Sequence, residues 1–592
     1  MRLPRWMMGR PGAWALVAAA PLAALLGATA LGQSESPSAG ETLTDAKCLE
    51  CHESEMGAHR AVNAKAIAAG PHKDNGCTGC HTAITAAPHT EPMKASKVDC
   101  GMCHPDQQTA YAASVHGRSD KTAGDHPTCI TCHAGAGGDP HSVTRTKGDR
   151  VHATETCSRC HSEAARMARY GVDTDAVPSY RESFHGKALL RFGNKKVAGC
   201  VDCHGNHAVK GHADAGSPTH RDVAAATCGK AGCHVGAKVN FAMSGANHLR
   251  LKVKKTPGLH YEELFFKWLT IGTVLFLMGG IALDLRLKVF GKTPPRSGRP
   301  VAALISASFL ALATSLAMAF LGSDRAGLVA AVAVGVMALA FVVHSAHSRR
   351  RPKPAGERTF LRLTVAQRTQ HICLALSFTA LVLTGLPLRF AETPWLNQLY
   401  ALLGGMAVAR VIHRVAAVVM MITWVWHTAY LVYRWKKAGF KLSSWTMFPT
   451  WKDLSDFVQV TMFYLGLWKE APKYGRFQFK EKFDYFAVYW GMPIMVFSGL
   501  VLWFPIYYGN LLPEAGVSAA YIAHSDEAIL AFLAILTWHL YNAHFNPDSF
   551  PMAKTFYNGI KTESEMQHEH PLELAHIEAR AATAGADDTA KP

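Results

Sequence analysis

The chain has 592 residues, 49% hydrophobic and 18% charged, and its 61 Lys and Arg outnumber 44 Asp and Glu for a net charge of +17. That length requires more than one domain. The basic residues gather beside hydrophobic spans (Arg349, Arg350, Arg351 and Lys353; Lys436, Lys437 and Lys441), which is the pattern of membrane topology, so nucleic acid is excluded as a partner.

The N-terminus has the form of a secretory signal. Arg2, Arg5 and Arg10 are its basic region, Ala13 to Leu26 its apolar stretch, and Ala28-Thr29-Ala30 a small-residue cleavage site. Cleaved, or retained as an anchor, such a leader exports residues 31–260.

The exported segment carries 14 of the 15 cysteines, arranged as seven motifs. Six are C-x-x-C-H: Cys48/Cys51/His52, Cys77/Cys80/His81, Cys100/Cys103/His104, Cys129/Cys132/His133, Cys157/Cys160/His161 and Cys200/Cys203/His204. The seventh, Cys228/Cys233/His234, has two extra residues between its cysteines. In each, two thiols can form thioethers to a porphyrin while the histidine reaches the iron from one face. Seven in succession exclude chance and exclude a zinc knuckle, and disulfides would compete for the same sulfurs. The pattern predicts seven covalent c-haems.

The motifs alternate. Those ending at His81, His133 and His204 are followed within a few residues by His89, His141 and His207. Those ending at His52, His104, His161 and His234 each lead through a helical-looking stretch to His59, His116, His185 and His248. Ser114-Val115-His116-Gly117 and Ser183-Phe184-His185-Gly186 are near-identical, so the segment is a repeated two-haem unit with one leading haem. The seven non-motif histidines are the expected second ligands. His72, His126, His152, His212, His220 and His260 are left over. Long apolar runs are few, so the haems themselves are expected to form most of the core.

From Leu264 the sequence becomes apolar. Spans of bilayer-crossing length, about 20 residues, fall at 264–285, 301–321, 327–346, 371–390, 409–433, 484–505 and 521–545. Seven spans after an exported domain put the C-terminus in the cytoplasm. Predicted cytoplasmic loops hold Lys288, Lys292, Arg296 and Arg299, then Arg349–Arg351, then Arg434 to Lys441 and Lys452. Predicted outer loops hold few basic residues, so loop charge and leader agree on orientation. Asp284, His344 and His347 sit at predicted cytoplasmic ends, where interfacial roles are expected. The polar, Ala-rich tail after Lys561, including His568-x-His570, is expected to be disordered. The expected division is a signal peptide (1–30), a heptahaem domain (31–260), three transmembrane helices (261–350), a four-helix cytochrome b (351–550) and a tail (551–592). The fold class is mainly α.

Histidines inside bilayer spans are functional candidates. His371 opens the fourth span, His413 and His427 lie on the fifth, and His524 and His539 on the seventh. Fourteen or fifteen residues along a helix return to nearly the same face, within about 40–60°, after climbing about 21–22 Å. That rise stacks two haems in a hydrocarbon layer about 30 Å thick.

Residues 368–433 and 475–545 resemble the dihaem cytochrome b of formate dehydrogenase gamma subunits and nickel-iron hydrogenases. The resemblance rests on Arg368-Thr369-Gln370-His371 leading to Leu383-Thr384-Gly385-Leu386, on Arg410-Val411-Ile412-His413, on Phe497-Ser498-Gly499-Leu500-Val501-Leu502-Trp503, and on His524 with His539. It implies an outer haem on His413 and His524 and an inner haem on His371 and His539. Two features depart from it. His427 also lies at inner depth and could replace His371, as in the cytochrome b of bc complexes. The spacing of 15 on the last helix is one residue longer than the family pattern, and His544 is a nearby further candidate. Cys373 is expected to be a small buried apolar residue.

A dihaem cytochrome b fused to an exported heptahaem segment resembles, more loosely, the inner-membrane multihaem quinone oxidoreductases of metal-respiring bacteria. The implied activity is that of a quinol:cytochrome-type oxidoreductase, exchanging electrons between quinone, menaquinol above all, and periplasmic cytochromes or terminal reductases. The quinone-site candidates are His427, His544 and Arg368. Two alternatives stand beside it: a membrane subunit passing electrons from a formate dehydrogenase or hydrogenase partner to quinone, and a periplasmic multihaem reductase. The last needs an open iron site, and no C-x-x-C-Lys variant occurs.

Overall fold

A computed structural model describes residues 43–53, 61–89, 97–118, 126–134, 139, 141–143, 149–320, 325–348, 356–441 and 445–588. The expected leader, His59, Arg349–Arg351 and Lys353 lie outside them. The described chain is mainly helical and divides into two compact units, Met1–Asp99 and Cys100–Pro592.

In the first unit, short helices Asp45–His52, Ala64–Ala69 and Cys77–Cys80 carry the first two motifs. The Asp45 carboxylate accepts from the Cys77 amide at 2.7 Å, tying one motif to the other.

The second unit begins with short helices, the longest being Arg150–His161. Several start at the motif itself, as in Cys129–His133 and Cys200–His204. Such helices are too short to be stable alone and few of their residues are buried, as expected of a segment with little apolar sequence of its own. The long helices follow: α1 (Pro257–Phe290), α2 (Arg299–Phe320), α3 (Ala326–Ser348), α4 (Val365–Arg389), α5 (Gly405–Lys437), α6 (Phe479–Trp503) and α7 (Gly516–Ala534), the last continued by two π-helical turns at Ile535–His539 and Tyr541–Phe545. Among the described residues, six helices are long and apolar enough to cross a membrane. The expected span 301–321 falls on α2, whose stretch Arg299–Ser315 ranks as a shorter apolar helix. Leu275, Leu310, Leu328 and Val334 are exposed on these helices, as side chains facing lipid would be.

Two apolar clusters hold the second unit together. Leu277, Ile281 and Leu285 of α1 pack with Val301, Ile305 and Phe309 of α2, Ala340 of α3, and Trp538 and Tyr541 beyond α7. Val253 and Leu259 join Phe266 and Ile522, fixing the haem-motif segment to α1 and α7. Polar contacts complete that docking. Asn510 accepts from the Lys238 amide (2.8 Å) and donates to the Gly236 carbonyl (2.9 Å), Asn240 donates to the Leu512 carbonyl (3.1 Å), and Ser518 donates to the Ser244 carbonyl (2.6 Å). Phe192 stacks on Tyr400 with ring centroids 4.8 Å apart.

The tail corrects the expectation of disorder. Strand β1 (Thr359–Leu361) pairs antiparallel with β2 (Ile560–Thr562), and helices Glu563–Glu569 and Pro571–Asp588 follow. Met566, His570 and Leu574 are buried. The His570 ring donates from Nδ1 to the Gly475 carbonyl (2.8 Å) and its Nε2 faces the Lys561 ammonium at 3.0 Å. Ala, Glu and Gln are strong helix formers, and a Thr562–Glu565 capping box opens the first helix. Polar, Ala-rich composition here builds an amphipathic cap.

Candidate haem sites

The repeat legible in the sequence is a repeat in structure. Ser114 Oγ accepts from the amides of His116 and Gly117 (3.1 and 3.2 Å), and Ser183 Oγ accepts from the Gly186 amide at 3.1 Å. A Cβ on Gly117 would lie 2.1 Å from the Tyr111 carbonyl oxygen, and one on Gly186 would lie 2.0 Å from that of Tyr180. Only glycine fits after the histidine in either copy. The same tyrosines anchor the next motif: Tyr111 donates to the Pro127 carbonyl and Tyr180 to the Ala198 carbonyl, each at 2.8 Å and each two residues before a motif cysteine. Tyr111 and Tyr180 were missed in the sequence, although both stand three residues before the serine of the repeat.

Among the motif thiols, Cys51, Cys103, Cys132 and Cys233 are exposed and the other ten are half-buried. Cys51 lies in the helix Asp45–His52 and Cys103 just past the turn Cys100–Met102, and neither element has a buried residue.

Two imidazoles bound through nitrogen at about 2 Å to opposite faces of one metal put their ring centroids about 6 Å apart. Five motif histidines face a second histidine at that separation. In the first unit His52 stacks with His89 at 6.1 Å. In the second, His116 faces His161 (6.3 Å), His133 faces His207 (6.0 Å), His185 faces His234 (5.9 Å) and His204 faces His248 (6.3 Å). His116 and His185 each pass over one motif and meet the next, so the pairing repeats with the sequence. The variant seventh motif holds its histidine in the same relation as the fifth. Burial lowers the pKa of His116, His133, His161, His185, His234 and His248, and burial beside His248 brings His204 down to about 4. Neutral imidazoles are what iron requires. His89 and His116, the histidines that follow the motifs ending at His81 and His104, lie instead against His52 and His161, and His59 lies outside the described residues.

In the long-helix region, His413 of α5 faces His524 of α7 at 6.5 Å, at the end where the haem-motif segment docks. Both rings are held alike. His413 Nδ1 lies 2.8 Å from Thr384 Oγ1, and His524 Nδ1 lies 3.0 Å from Ser498 Oγ. Each hydroxyl donates to the carbonyl one turn back, Ala380 or Ile494, so it accepts from the ring, leaving Nε2 for a metal. Gly385 and Gly499 follow these hydroxyl residues. A Cβ on them would lie 3.5 Å from His413 Cε1 and 3.2 Å from His524 Cε1, so glycine lets each ring lie close to its helix. The Thr-Gly-Leu and Ser-Gly-Leu strings are therefore two copies of one ring-holding device.

Towards the other end His371 of α4 faces His539 at 6.2 Å. The long spacing from His524 to His539 is absorbed by the π-helical turn at Ile535–His539. A π turn takes one extra residue without advancing the face, so fifteen residues act as about fourteen. His539 Nδ1 lies 3.1 Å from Asp484 Oδ2. His427 is bound at both nitrogens, Nδ1 to Gln370 Oε1 at 2.8 Å and Nε2 to the Tyr485 hydroxyl at 2.9 Å. The structure therefore brings His371, and not His427, to His539. His544 packs against Phe556, Arg368 donates to the Tyr557 carbonyl, and Cys373 is half-buried.

One cavity of about 3690 Å³ connects five of these pairs, several times the roughly 300–1,000 Å³ of a pocket for one small ligand. It is lined by the pairs His116–His161, His185–His234 and His204–His248, by both long-helix pairs and by His544.

Residues 362–548 match the family model described as prokaryotic cytochrome b561. Fold and match together define the class: a multi-pass membrane protein whose C-terminal half contains a haem-binding, b-type cytochrome of electron transport. No curated protein matches the chain.

Proposed function

We propose that this protein transfers electrons between the quinone pool, with menaquinol as the expected donor, and periplasmic acceptors, using two b-haems and seven covalent c-haems. The observation that carries the reading is the continuous cavity, because histidine pairs spaced for bis-imidazole ligation follow one another along it from the haem-motif segment into the helix bundle. The seven Cys/Cys/His motifs attach haem c, and His413 with His524 and His371 with His539 hold haem b. Iron held this way supplies one-electron chemistry at a potential set by ligand, hydrogen bonds and burial.

The chain's own groups do the rest. Thr384 and Ser498 hold the outer rings in one tautomer, and the Asp484 carboxylate makes His539 the more basic ligand. Histidines on both faces complete the ligand sets of five motif sites and both long-helix sites, which favours electron passage over small-molecule reduction there. Export of residues 31–260 puts the docked end of the bundle in the periplasm and the tail in the cytoplasm. Quinol gives up two electrons and two protons, and His544 and the His427–Tyr485–Gln370 cluster are the residues suited to take part in that exchange.

The test uses the purified full chain. Pyridine haemochrome analysis with intact mass is expected to give seven covalent haems and two extractable ones, and a menaquinol analogue is expected to reduce the c-haems with no partner subunit present. Reduction that requires an added dehydrogenase would favour the rival reading, a membrane subunit delivering electrons to quinone.

A further inference from the structure

Asp284 lies near the end of α1, a helix outside the cytochrome b561 match, and is buried, 4% exposed. Three donors converge on its carboxylate: the Tyr464 hydroxyl at 2.9 Å, the Tyr541 hydroxyl at 2.6 Å and the Asn546 amide at 3.2 Å. A buried carboxylate at the end of a bilayer span is costly, and its default reading is functional.

The network extends both ways from it. On one side Lys480 Nζ lies 3.3 Å from the Tyr464 hydroxyl and sits over the Trp538 ring, the neighbour in sequence of His539. On the other, Lys288, one turn along α1, pairs with Asp548, and Asp548 lies 3.6 Å from His568 of the C-terminal cap. Tyr474 is a further titratable group close enough to feel the Asp284 charge. Asp284, Lys288, Lys480, Asp548 and His568 all line the cavity that contains His539. His568 is 55% exposed, so the series runs from beside the inner histidine pair to the protein surface. A purely structural pin between α1 and the bundle would need the carboxylate and its donors. It would not need ionisable groups continuing to an exposed imidazole.

We propose that Asp284 is the central relay of a proton conduit, running from the cavity beside the inner histidine pair through Lys480, Tyr464, Asp284, Lys288 and Asp548 to the solvent at His568. The inference rests on the proposed quinone exchange and assigns the route of its protons. Oxidation of one quinol to quinone yields two electrons and two protons, and the protons leave singly. The Tyr464 hydroxyl proton passes to Asp284 Oδ1, the Lys480 ammonium restores it, and Lys480 is recharged from the quinol. Asp284 discharges towards Lys288 and Asp548, and His568 Nε2 delivers the proton to water. In quinone reduction each hop reverses.

The experiment uses the full chain in liposomes, with menadiol as the probe and c-haem reduction followed by stopped flow. Asp284→Asn keeps the side chain's shape, leaves one acceptor oxygen where the carboxylate has two, and cannot carry a proton. It is expected to slow c-haem reduction by roughly tenfold or more, to keep both b-haem spectra and full reduction by dithionite, and to lose a protonated-carboxyl band from the redox-difference infrared spectrum. Asp284→Glu is expected to restore rate and band. Tyr464→Phe, which removes one hydroxyl and no bulk, is expected to slow the reaction even if Asp284→Asn fails to assemble. Wild-type rate in Tyr464→Phe, or wild-type rate and an unchanged infrared spectrum in Asp284→Asn, would overturn the conduit. A wild-type protein inert to menadiol would instead overturn the quinone reading.

Discussion

His371 and His427 sit at similar depth and differ in what occupies their nitrogens. His427 has both committed to Gln370 and Tyr485, whereas His371 faces His539 across the gap an iron would fill. His371→Ala is therefore expected to remove one b-haem and leave the other, while His427→Ala retains both, as read by extractable haem content and low-temperature absorption. Loss of haem only in the His427 variant would return the inner site to a bc-like pairing. Asp484 makes a second residue-scale test. Its hydrogen bond to His539 favours ferric iron, so Asp484→Asn is expected to raise the inner haem's midpoint potential in a redox titration. It should also weaken haem retention by about 10- to 100-fold, the usual cost of losing such a partner. An unchanged potential would mean that the carboxylate does not act through the ring.

Among the elements, the C-terminal cap shows most clearly why sequence and structure part. Its composition matches a solvated tail, and nothing local reveals that His570 is destined for a site between Gly475 and Lys561. Burial, with Lys561 and Arg362 nearby, pushes the His570 pKa down to about 3. An unfolded histidine titrates near 6.5, so between these values the undocked tail binds the extra proton. Docking is thus at full strength above about pH 6.5 and weakens as pH falls towards about 3. Hydrogen-exchange protection across 563–588, corrected for the pH dependence of intrinsic exchange, is expected to fall on going from about pH 7.5 to about pH 5, and His570→Gln to remove that dependence. Equal protection at both pH values would contradict the burial of a neutral ring. By contrast the haem motifs, the long helices and the four facing histidines were all legible, because each depends on local spacing or on a long apolar run. The pairings of the motif histidines were not. His116 meets His161 and His133 meets His207 across intervening motifs, and such long-range closure leaves no periodicity in the chain. Nor does a motif's spelling reveal its shelter: Cys51 and Cys103 read like the other cysteines and stand at the surface. The π turn before His539 was visible only as an anomaly in spacing, which a backbone adjustment resolves.

Across the whole molecule, the second unit joins a segment of short helices carrying the Cys/Cys/His motifs to a bundle of long helices around one cavity. The junction is specific: Asn510, Ser518 and Tyr400 fix the haem-motif segment over the end of the bundle that holds His413 and His524. In the proposed function this pair is the b-haem site nearest the docked motif segment. The most direct measurement is stopped-flow reduction of the c-haems by menadiol in wild type and His413→Ala. If the motifs hold covalent haem as proposed, the variant should keep all seven and reduce fully with dithionite, because none of the motif residues is altered. Its reduction by menadiol is predicted to be lost. A His413→Ala protein that reduces its c-haems at the wild-type rate would contradict the account and would place quinol oxidation beside the c-haems themselves.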